Sequence, residues 1–303
     1  MPVNIVLNSS ANYAQVQENI LSPIRAALGA GGHTVSRKRG RPDSLNFALF
    51  IRMPVDVVMS HGVADKNYFW IGHPDGGRFI NRLKAVLVPG EWMRRRMIAS
   101  PAIELAPDRI IPVGWPRLDV IRGVAPTAAA DDPGGRRLRV LWAPTHDNVK
   151  RGEEQRSTSS FPDFEAFVPV LRERFDVEVS VHPRNREDKT PTMDRLGWAD
   201  VVVSDFGTLV YEAWALGKPV LFPRWILGDR IQTYLPNSAE ARIMESRIGL
   251  HPDSFEEMLA LLESGPRLGD DVDAFMDDYL LNYRGGDSAG RVASALRSLA
   301  EQA

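Results

Sequence analysis

The sequence predicts an α/β protein of two domains, each built on a parallel sheet with flanking helices. Short apolar runs, typical of buried strands, alternate with helix-like segments along most of the 303 residues. The chain is long enough for two domains of about 150 residues each. Residues 123–137, rich in Ala, Asp, Pro and Gly and without periodicity, are typical of an interdomain linker.

The predicted N-terminal domain covers residues 1–122. Its strands are expected in the short apolar runs, and its helices between glycine and proline breaks. The predicted strands are residues 3–7, 46–51, 55–59, 85–88 and 110–113. The predicted helices are residues 12–30 and 91–99.

The predicted C-terminal domain covers residues 138–284 and repeats the alternation of strands and helices. Its predicted strands are residues 138–142, 177–181, 200–204 and 219–222. Its predicted helices are residues 163–175, 208–216, 254–262 and 272–281, and a last helix follows at residues 288–300.

Composition narrows the class of protein. A net charge of −2 argues against bulk wrapping of nucleic acid, which usually needs a strongly basic domain. The absence of cysteine excludes disulfides, thiolate nucleophiles and zinc–cysteine sites. The sequence shows neither a signal peptide nor a run of about 18 apolar residues. We therefore expect a cytoplasmic protein, with peripheral membrane contact left open.

The strongest chemical signal lies in residues 199–224, which predict a strand, a turn and a helix. Ser204 and Asp205 stand at the carboxyl end of the strand, where open parallel sheets bind ligands. Gly207 lets a phosphate approach the backbone, and Thr208 adds a hydroxyl donor at the helix start. The segment therefore predicts a phosphate-binding turn.

Glu212 extends this pattern by one helical turn. It lies on the same helix face as Thr208, where a carboxylate can accept both hydroxyls of a ribose. An ordinary strand–helix unit with a capping Asp is the alternative interpretation. The polar residues fall together at one strand end, which favours the nucleotide interpretation.

Residues 205–208 resemble the donor turn of the CDP-glycerol glycerophosphotransferase family of teichoic-acid synthesis, which belongs to the two-domain GT-B enzymes. That family has Asp, an aromatic residue and two small hydroxyl residues, and Gly207 replaces the first of these hydroxyl residues. Glu212-Ala213 and the following Leu-Gly-Lys-Pro-Val are closer to UDP-sugar enzymes, including UDP-N-acetylglucosamine 2-epimerase. The donor base therefore stays open.

Other short stretches resemble the same family in the same order along the chain. They are Ser60-His61-Gly62 with Lys66 downstream, and residues 113–119, 142–146, 181–183 and 283–291. The resemblance implies two Rossmann-like domains with a cleft between them, and residues 285–303 as a helix that packs back on the N-terminal domain. It also implies a nucleotide-activated donor and a polymer or lipid-linked acceptor.

Two histidines are the candidate catalytic residues. His61 follows a buried strand beside a glycine, and an imidazole titrates near neutrality, which suits deprotonation of an acceptor hydroxyl. The family resemblance implies the same role. His182, at a strand end of the other domain, could stabilise the leaving nucleoside phosphate. The alternative interpretation of each histidine is a side chain that only forms a hydrogen bond to a loop.

Further residues are assigned to the donor or the acceptor side. Arg184 and Arg224 could bind pyrophosphate with two hydrogen bonds each, although solvated loop arginines are an equal alternative. The donor side also includes Pro144, Thr145 and Phe206, and the acceptor side includes Gly62, Lys66 and His146. No metal-binding constellation is evident, so we expect neither a metal nor a cofactor besides the donor substrate.

Residues 37–42 are strongly basic and do not come from the family pattern. Arg37-Lys38-Arg39-Gly40-Arg41-Pro42 resembles an AT-hook, which places arginines in the minor groove of A·T-rich DNA. The alternatives are a solvated basic loop, or one that meets the phosphates of an acceptor polymer or a membrane lipid.

The function predicted from the sequence is transfer of a glycerophosphate or glycosyl group from CDP-glycerol or a UDP-sugar to an acceptor hydroxyl by direct displacement. Three alternatives stay open. They are a glycosyltransferase that acts on modified bases of DNA, a UDP-sugar 2-epimerase-like enzyme, and a non-enzymatic nucleic-acid-binding protein.

Overall fold

The chain folds into two compact units in a computed structural model that describes residues 1–122, 136–145, 158–181 and 192–303. Unit 1 consists of Met1–Gly123 and Met276–Ala303, and unit 2 consists of Val124–Phe275. The predicted linker lies outside the described residues except for residues 136 and 137. The chain returns to unit 1 at Met276, nine residues before the boundary placed by sequence at 285.

Unit 1 contains a six-stranded, all-parallel sheet with the order β2-β1-β3-β4-β5-β6. The strands are β1 (Val3–Leu7), β2 (His33–Arg37), β3 (Leu45–Ala48), β4 (Val57–Met59), β5 (Ala85–Val88) and β6 (Ile110–Pro112). The helices are α1 (Ala14–Leu28), α2 (Glu91–Ile98), α3 (Pro116–Ile121) and α12 (Ser288–Glu301). The central strands are buried, since helices cover parallel sheets on both faces.

The edge strand β2 was not predicted. Its sequence, His-Thr-Val-Ser-Arg, is polar and at least partly exposed throughout, so it lacks the apolar run that signals a buried strand. It pairs with β1 in register from Val3↔His33 to Leu7↔Arg37. The pairing brings residues 37–42, which we call the basic segment, to the same sheet edge as the carboxyl ends of the other strands.

The last helix, α12, packs against α1 and α3 of unit 1. The Asp119 carboxylate accepts a hydrogen bond from Ala289 N at 2.9 Å, near the start of α12. Arg291 Nε donates to the carbonyl of Val113 at 3.1 Å. The prediction that the C-terminal helix returns to the N-terminal domain is confirmed.

Unit 2 contains a four-stranded parallel sheet with the order β10-β9-β7-β8. The strands are β7 (Arg139–Trp142), β8 (Asp176–Val179), β9 (Val201–Val203) and β10 (Val220–Leu221). Its helices are α4 (Val168–Arg174), α5 (Thr192–Trp198), α6 (Thr208–Ala215), α7 (Arg224–Leu227), α8 (Arg230–Tyr234), α9 (Ala239–Glu245) and α10 (Phe255–Glu263). The chain passes from unit 2 to unit 1 within α11 (Asp270–Tyr279).

The predicted α/β class with parallel sheets is confirmed, and the elements differ from prediction mainly at their ends. The short helices α3, α5 and α7 to α9 were not predicted, because each is too brief to show helical periodicity. Among the described residues, no helix is long and apolar enough to cross a membrane.

Candidate functional site

Two of the predicted donor residues are internal to unit 2. Ser204 and Asp205 follow β9 at the carboxyl edge of the sheet, and neither side chain is exposed. Ser204 Oγ donates to the carbonyl of Ala143 at 2.7 Å. Asp205 Oδ2 accepts from Thr145 N at 2.8 Å and from Ser159 Oγ at 3.2 Å. Both side chains therefore hold the segments that follow β7.

Burial dominates the electrostatics of Asp205. It raises the pKa of the carboxyl to about 6, against the opposing effect of hydrogen bonds from Ser160, Thr145 and Ser159. Oδ1 is buried and has no hydrogen-bond partner in the described part of the chain. In this geometry Asp205 positions backbone around the turn and presents no charge to the surface.

The turn after Asp205 has the form that the sequence predicts. Gly207 adopts φ 105°, a conformation that glycine reaches without the steric cost of a side chain. The eight-residue helix α6 starts at Thr208, which is half-buried. Val210 N donates to the Gly207 carbonyl at 3.1 Å. The first two N–H groups of α6, those of Thr208 and Leu209, lack intrahelical acceptors, so this point of the sheet edge suits an anion.

Glu212 lies one turn further along α6 but is 2% exposed. The sequence interpretation had placed it on an accessible helix face. Beside it, Tyr211 donates from its hydroxyl to Glu240 Oε1 at 2.9 Å, and Glu240 is also buried. Two buried carboxylates therefore accompany the start of α6.

The remaining donor-side candidates are only partly described. Arg224 begins α7, where Nε lies 3.4 Å from Asp253 Oδ1, and Arg247 binds the same carboxylate at 3.0 Å. Pro144 is buried and Thr145 half-buried, both directly after β7. His182, Arg184 and His146 lie outside the described residues. Within the described ranges, no group of three or more His, Asp or Glu side chains could hold a metal ion.

His251 joins the carboxyl edge of unit 2, and sequence reasoning missed it. Leu250 forms a parallel bridge with Leu221, which extends the sheet by one short pairing beyond β10. The His251 ring stacks on Phe222 with centroids 4.6 Å apart, and Nε2 lies 2.9 Å from the carbonyl of Ile248. The sequence does contain a signal for His251, because Leu250-His251-Pro252 repeats the apolar-His-Pro pattern of residues 181–183.

In unit 1, His61 lies just after β4 within a cluster of aromatic rings. Phe50 stacks on it with centroids 4.8 Å apart and an interplanar angle of 18°. Tyr68 packs edge-on at 5.4 Å, and Tyr13 packs edge-on at 6.0 Å. Tyr13 also contacts Phe50 at 4.8 Å. We call these four residues the aromatic cluster.

The aromatic cluster is held by the Tyr68 hydroxyl. This group donates to the carbonyl of Leu49 at 3.1 Å and accepts from Ile51 N at 2.8 Å, so it brackets Phe50 on both sides. Burial raises the pKa of Tyr68 well above its usual range. The neutral phenol therefore fixes the backbone that sets the Phe50 ring against His61.

The structure changes the electrostatic expectation for His61. Burial, and then the nearby charge of Lys66, lower its pKa from 6.5 to about 4, whereas the sequence interpretation assumed titration near neutrality. Nδ1 is buried and has no hydrogen-bond partner among the described residues. The imidazole is therefore neutral at pH 7 and is oriented by ring packing, not by the Nδ1–H bond typical of catalytic triads.

The loop after His61 is anchored next to it. Gly62 N donates to Ser60 Oγ at 3.2 Å. Asp65 is buried in an ion pair with Arg96, which also donates to Asn67 Oδ1 at 2.5 Å. Lys66 is exposed between these anchors with φ 46°. The anchored loop therefore keeps a cation near His61.

The basic segment continues from β2 at the same edge of the sheet. Its four cationic side chains are exposed and form no ion pair with any described residue: Arg37, Lys38, Arg39 and Arg41. The backbone is fixed, because Arg41 N donates to Asn46 Oδ1 at 2.7 Å and Asn46 Nδ2 donates to the Arg41 carbonyl at 2.9 Å. The segment is a rigid cationic turn.

Comparison of the sequence with known proteins finds no match. No family model matches the chain, and no curated protein matches it.

Comparison of the structure finds enzymes with the same two-domain fold. The wall teichoic acid polymerase TagF is 13% identical in sequence and superimposes with a TM-score of 0.60. The match covers 99% of this chain and 89% of the TagF chain. A TagF variant with one histidine replaced by alanine gives a TM-score of 0.61 at 13% identity, and this match covers 100% of the present chain and 90% of the TagF chain.

A second kind of enzyme has the same fold. The UDP-GlcNAc 2-epimerase from Neisseria meningitidis bound to UDP-GlcNAc is 11% identical and covers both chains in full, with a TM-score of 0.52. At these identities the comparisons show the fold, which is the GT-B-like α/β fold that the sequence resemblance implied. The resemblance is thus confirmed at the level of the fold.

Proposed function

We propose that this protein is a transferase that moves a glycerophosphate or glycosyl group from a nucleotide-diphosphate donor to an acceptor hydroxyl. The observation that carries the proposal is the Gly207 turn, which opens α6 at the carboxyl edge of the unit 2 sheet. The fold shared with TagF and with a UDP-GlcNAc 2-epimerase supports a donor such as CDP-glycerol or a UDP-sugar.

Donor binding is assigned to unit 2. The N–H groups of Thr208 and Leu209 at the start of α6, together with the Thr208 hydroxyl, would hold the pyrophosphate, because they combine a helix dipole with donors that lack intrahelical acceptors. Ser204 and Asp205 act behind them by fixing the neighbouring strand ends. Arg224 would reach a phosphate by exchanging its partner Asp253, since both side chains of that pair are partly exposed.

Unit 1 supplies the base. The acceptor O–H would give its proton to His61, and the acceptor oxygen would form a bond to the donor's phosphorus or anomeric carbon. The bond from that atom to the leaving phosphate oxygen breaks, which releases a nucleoside monophosphate from CDP-glycerol or a nucleoside diphosphate from a UDP-sugar. Because Nδ1 is buried, Nε2 is the nitrogen assigned to take the proton.

The low pKa of His61 fits a base that becomes effective only when a substrate is bound. A base works best when its pKa lies near the working pH, and about 4 is too low. An anionic group bound next to Lys66 would offset the charge of Lys66 and raise the pKa of the imidazole, which would make His61 a better base.

A UDP-sugar 2-epimerase-like activity is the second candidate. It is favoured by the full-length structural match to the Neisseria enzyme and by the acidic Glu212 beside the phosphate turn. Inversion of the configuration at C2 of UDP-N-acetylglucosamine without any acceptor would identify it.

A ligand panel and one variant test the proposed function. The panel comprises CDP-glycerol, UDP-glucose, UDP-N-acetylglucosamine, CDP and UDP, measured by thermal shift. A true donor at about 100 times its dissociation constant should stabilise the protein by about 3 kcal/mol. His61→Ala should keep this shift and lose transfer, because His61 acts on the acceptor.

The control is His73→Ala, which changes a histidine of the same unit that packs on Phe79 at 4.6 Å. It should keep both donor binding and transfer. An absence of any nucleotide response would overturn the proposed function, and loss of donor binding in His61→Ala would overturn the role of His61.

A further inference from the structure

Tyr13 belongs to the aromatic cluster but is itself exposed. It is 38% exposed and stands immediately before α1, beside the carboxyl ends of β1 and β3. An exposed aromatic ring is the kind of surface that binds ligands by stacking.

The ring is held in place before any ligand arrives. Phe50 supports it at 4.8 Å, and the Tyr68 hydroxyl fixes the backbone on both sides of Phe50. The loop leading to Tyr13 is also fixed, because Asn8 N donates to Gln17 Oε1 at 2.7 Å and Gln17 Nε2 donates to the Asn8 carbonyl at 2.9 Å. A preformed surface loses little entropy on binding.

We propose that the aromatic cluster is an acceptor subsite for a sugar ring, in which Tyr13 stacks on the C–H face of the ring and a ring hydroxyl reaches His61. This inference rests on the proposed function and names its acceptor class. The Tyr13 and His61 centroids are 6.0 Å apart, so a ring seated on Tyr13 places hydroxyls of its rim beside the imidazole. An open-chain polyol such as glycerol has no flat face to stack.

A nucleobase is the other ring that could stack on Tyr13. Proteins that hold single strands by stacking use a series of aromatic rings along a basic groove. In the described part of this chain, Tyr13 is the member of the aromatic cluster that is more than a third exposed. One stacking position fits a single sugar residue better than a run of bases.

The basic segment also disfavours nucleic acid. A Cβ at Gly40 would lie 2.6 Å from the Asn46 side chain, and Arg41 is bound to Asn46 through both its N–H and its carbonyl. The turn would therefore have to lose these contacts before its backbone could lie as a free strand in a minor groove about 6 Å wide. Its cations remain available to anionic groups carried by a saccharide.

Saturation-transfer NMR on the full chain tests the subsite. The probes are the methyl glycosides of glucose, galactose, mannose and N-acetylglucosamine, with glycerol and thymidine as comparison ligands. At least one glycoside should receive saturation at the C–H protons of one ring face, and glycerol and thymidine should not. Tyr13→Ala should weaken binding about tenfold, as expected for loss of one ring contact, and Tyr13→Phe should keep most of it.

Tyr234→Ala is the matched control, because Tyr234 is 50% exposed on α8 of unit 2. It should leave glycoside binding unchanged. The subsite is overturned if no glycoside binds, if Tyr13→Ala binds glycosides as the wild type does, or if thymidine binds in a Tyr13-dependent way.

The nucleotide panel in the same samples separates the two proposals. A nucleotide response without a glycoside signal overturns the subsite alone. A Tyr13-dependent glycoside signal without any nucleotide response overturns the transferase function alone.

Discussion

At the scale of single residues, the candidate donor site depends on one glycine. Gly207 turns the chain from β9 into α6 with φ 105° and ψ −174°. An L-residue with a side chain adopts this conformation only with strain of about 1–3 kcal/mol. The same conformation sets the direction of the N–H groups that start α6, so the turn links backbone geometry to anion binding.

Gly207→Ala should therefore weaken nucleotide binding and lower stability by about 1–3 kcal/mol. The loss of binding is expected because relief of the strain moves the start of α6 away from the ligand position. The nucleotide thermal-shift panel and chemical denaturation measure the two effects.

Gly197→Ala is the control for this prediction. Gly197 lies in α5 without a positive φ, and a Cβ there would meet nothing within 4 Å. Alanine favours a helix over glycine by about 1 kcal/mol, so this variant should keep nucleotide binding and lose no stability. Equal effects of the two substitutions would contradict the role given to the Gly207 turn.

Single residues also show how far the sequence could predict the site. The position of His61 after a buried strand and the Asp205–Thr208 turn follow from local patterns, and both stand where those patterns place them. The pKa of His61 does not follow, because it is lowered by burial, and rings that pack on His61, such as Phe50 and Tyr68, belong to other segments of the chain. The burial of Glu212 likewise depends on tertiary packing that helical spacing alone does not reveal.

At the scale of elements, the sheet of unit 1 assembles the aromatic cluster. The rings come from the start of α1, the end of β3, the end of β4 and the 3-10 helix Tyr68–Trp70. Since β1, β3 and β4 are neighbouring parallel strands, their carboxyl ends meet at one edge. The sequence predicted these three strands but could not give their order, and the cluster depends on that order.

Tyr68→Phe tests the connection between these elements. It removes the hydroxyl that binds the Leu49 carbonyl and Ile51 N, and two buried backbone groups then lack a partner. Stability should fall by about 1–3 kcal/mol in chemical denaturation. The His61 ring protons should shift in NMR, because Phe50 is no longer held parallel to the imidazole.

Tyr234→Phe is the matched control, since its exposed phenol sits in unit 2 and should alter neither measurement. Unchanged His61 resonances in Tyr68→Phe would show that Phe50 keeps its place without the hydroxyl. The Tyr68 hydroxyl would then have no part in orienting His61.

At the scale of the whole molecule, three buried titratable groups should control how stability depends on pH. Burial lowers the pKa of His61 and of His251 from 6.5 to about 4, and it raises the pKa of Asp205 from 3.8 to about 6. Each histidine binds its proton more readily in the unfolded chain, so it lowers stability as pH falls from 6.5 towards 4. Asp205 binds its proton more readily in the folded chain, so its stabilising contribution is present below pH 3.8 and is lost as pH rises through about 6.

These signs predict opposite effects of two substitutions on the pH profile. For each group, the difference between the folded and unfolded pKa corresponds to about 3 kcal/mol. His251→Gln keeps a donor for the Ile248 carbonyl but cannot take up a proton, so between pH 6.5 and 4 it should lose less stability than the wild type. Asp205→Asn removes the carboxyl that stabilises the folded chain as the pH falls, so this variant should lose more stability than the wild type over the same range.

Unfolding free energies measured every half pH unit provide the test. Profiles of both variants that run parallel to the wild-type profile would contradict the prediction. Since Asp205 and His251 both lie in unit 2, divergent profiles would show that the buried carboxyl edge of the unit 2 sheet contributes to acid sensitivity.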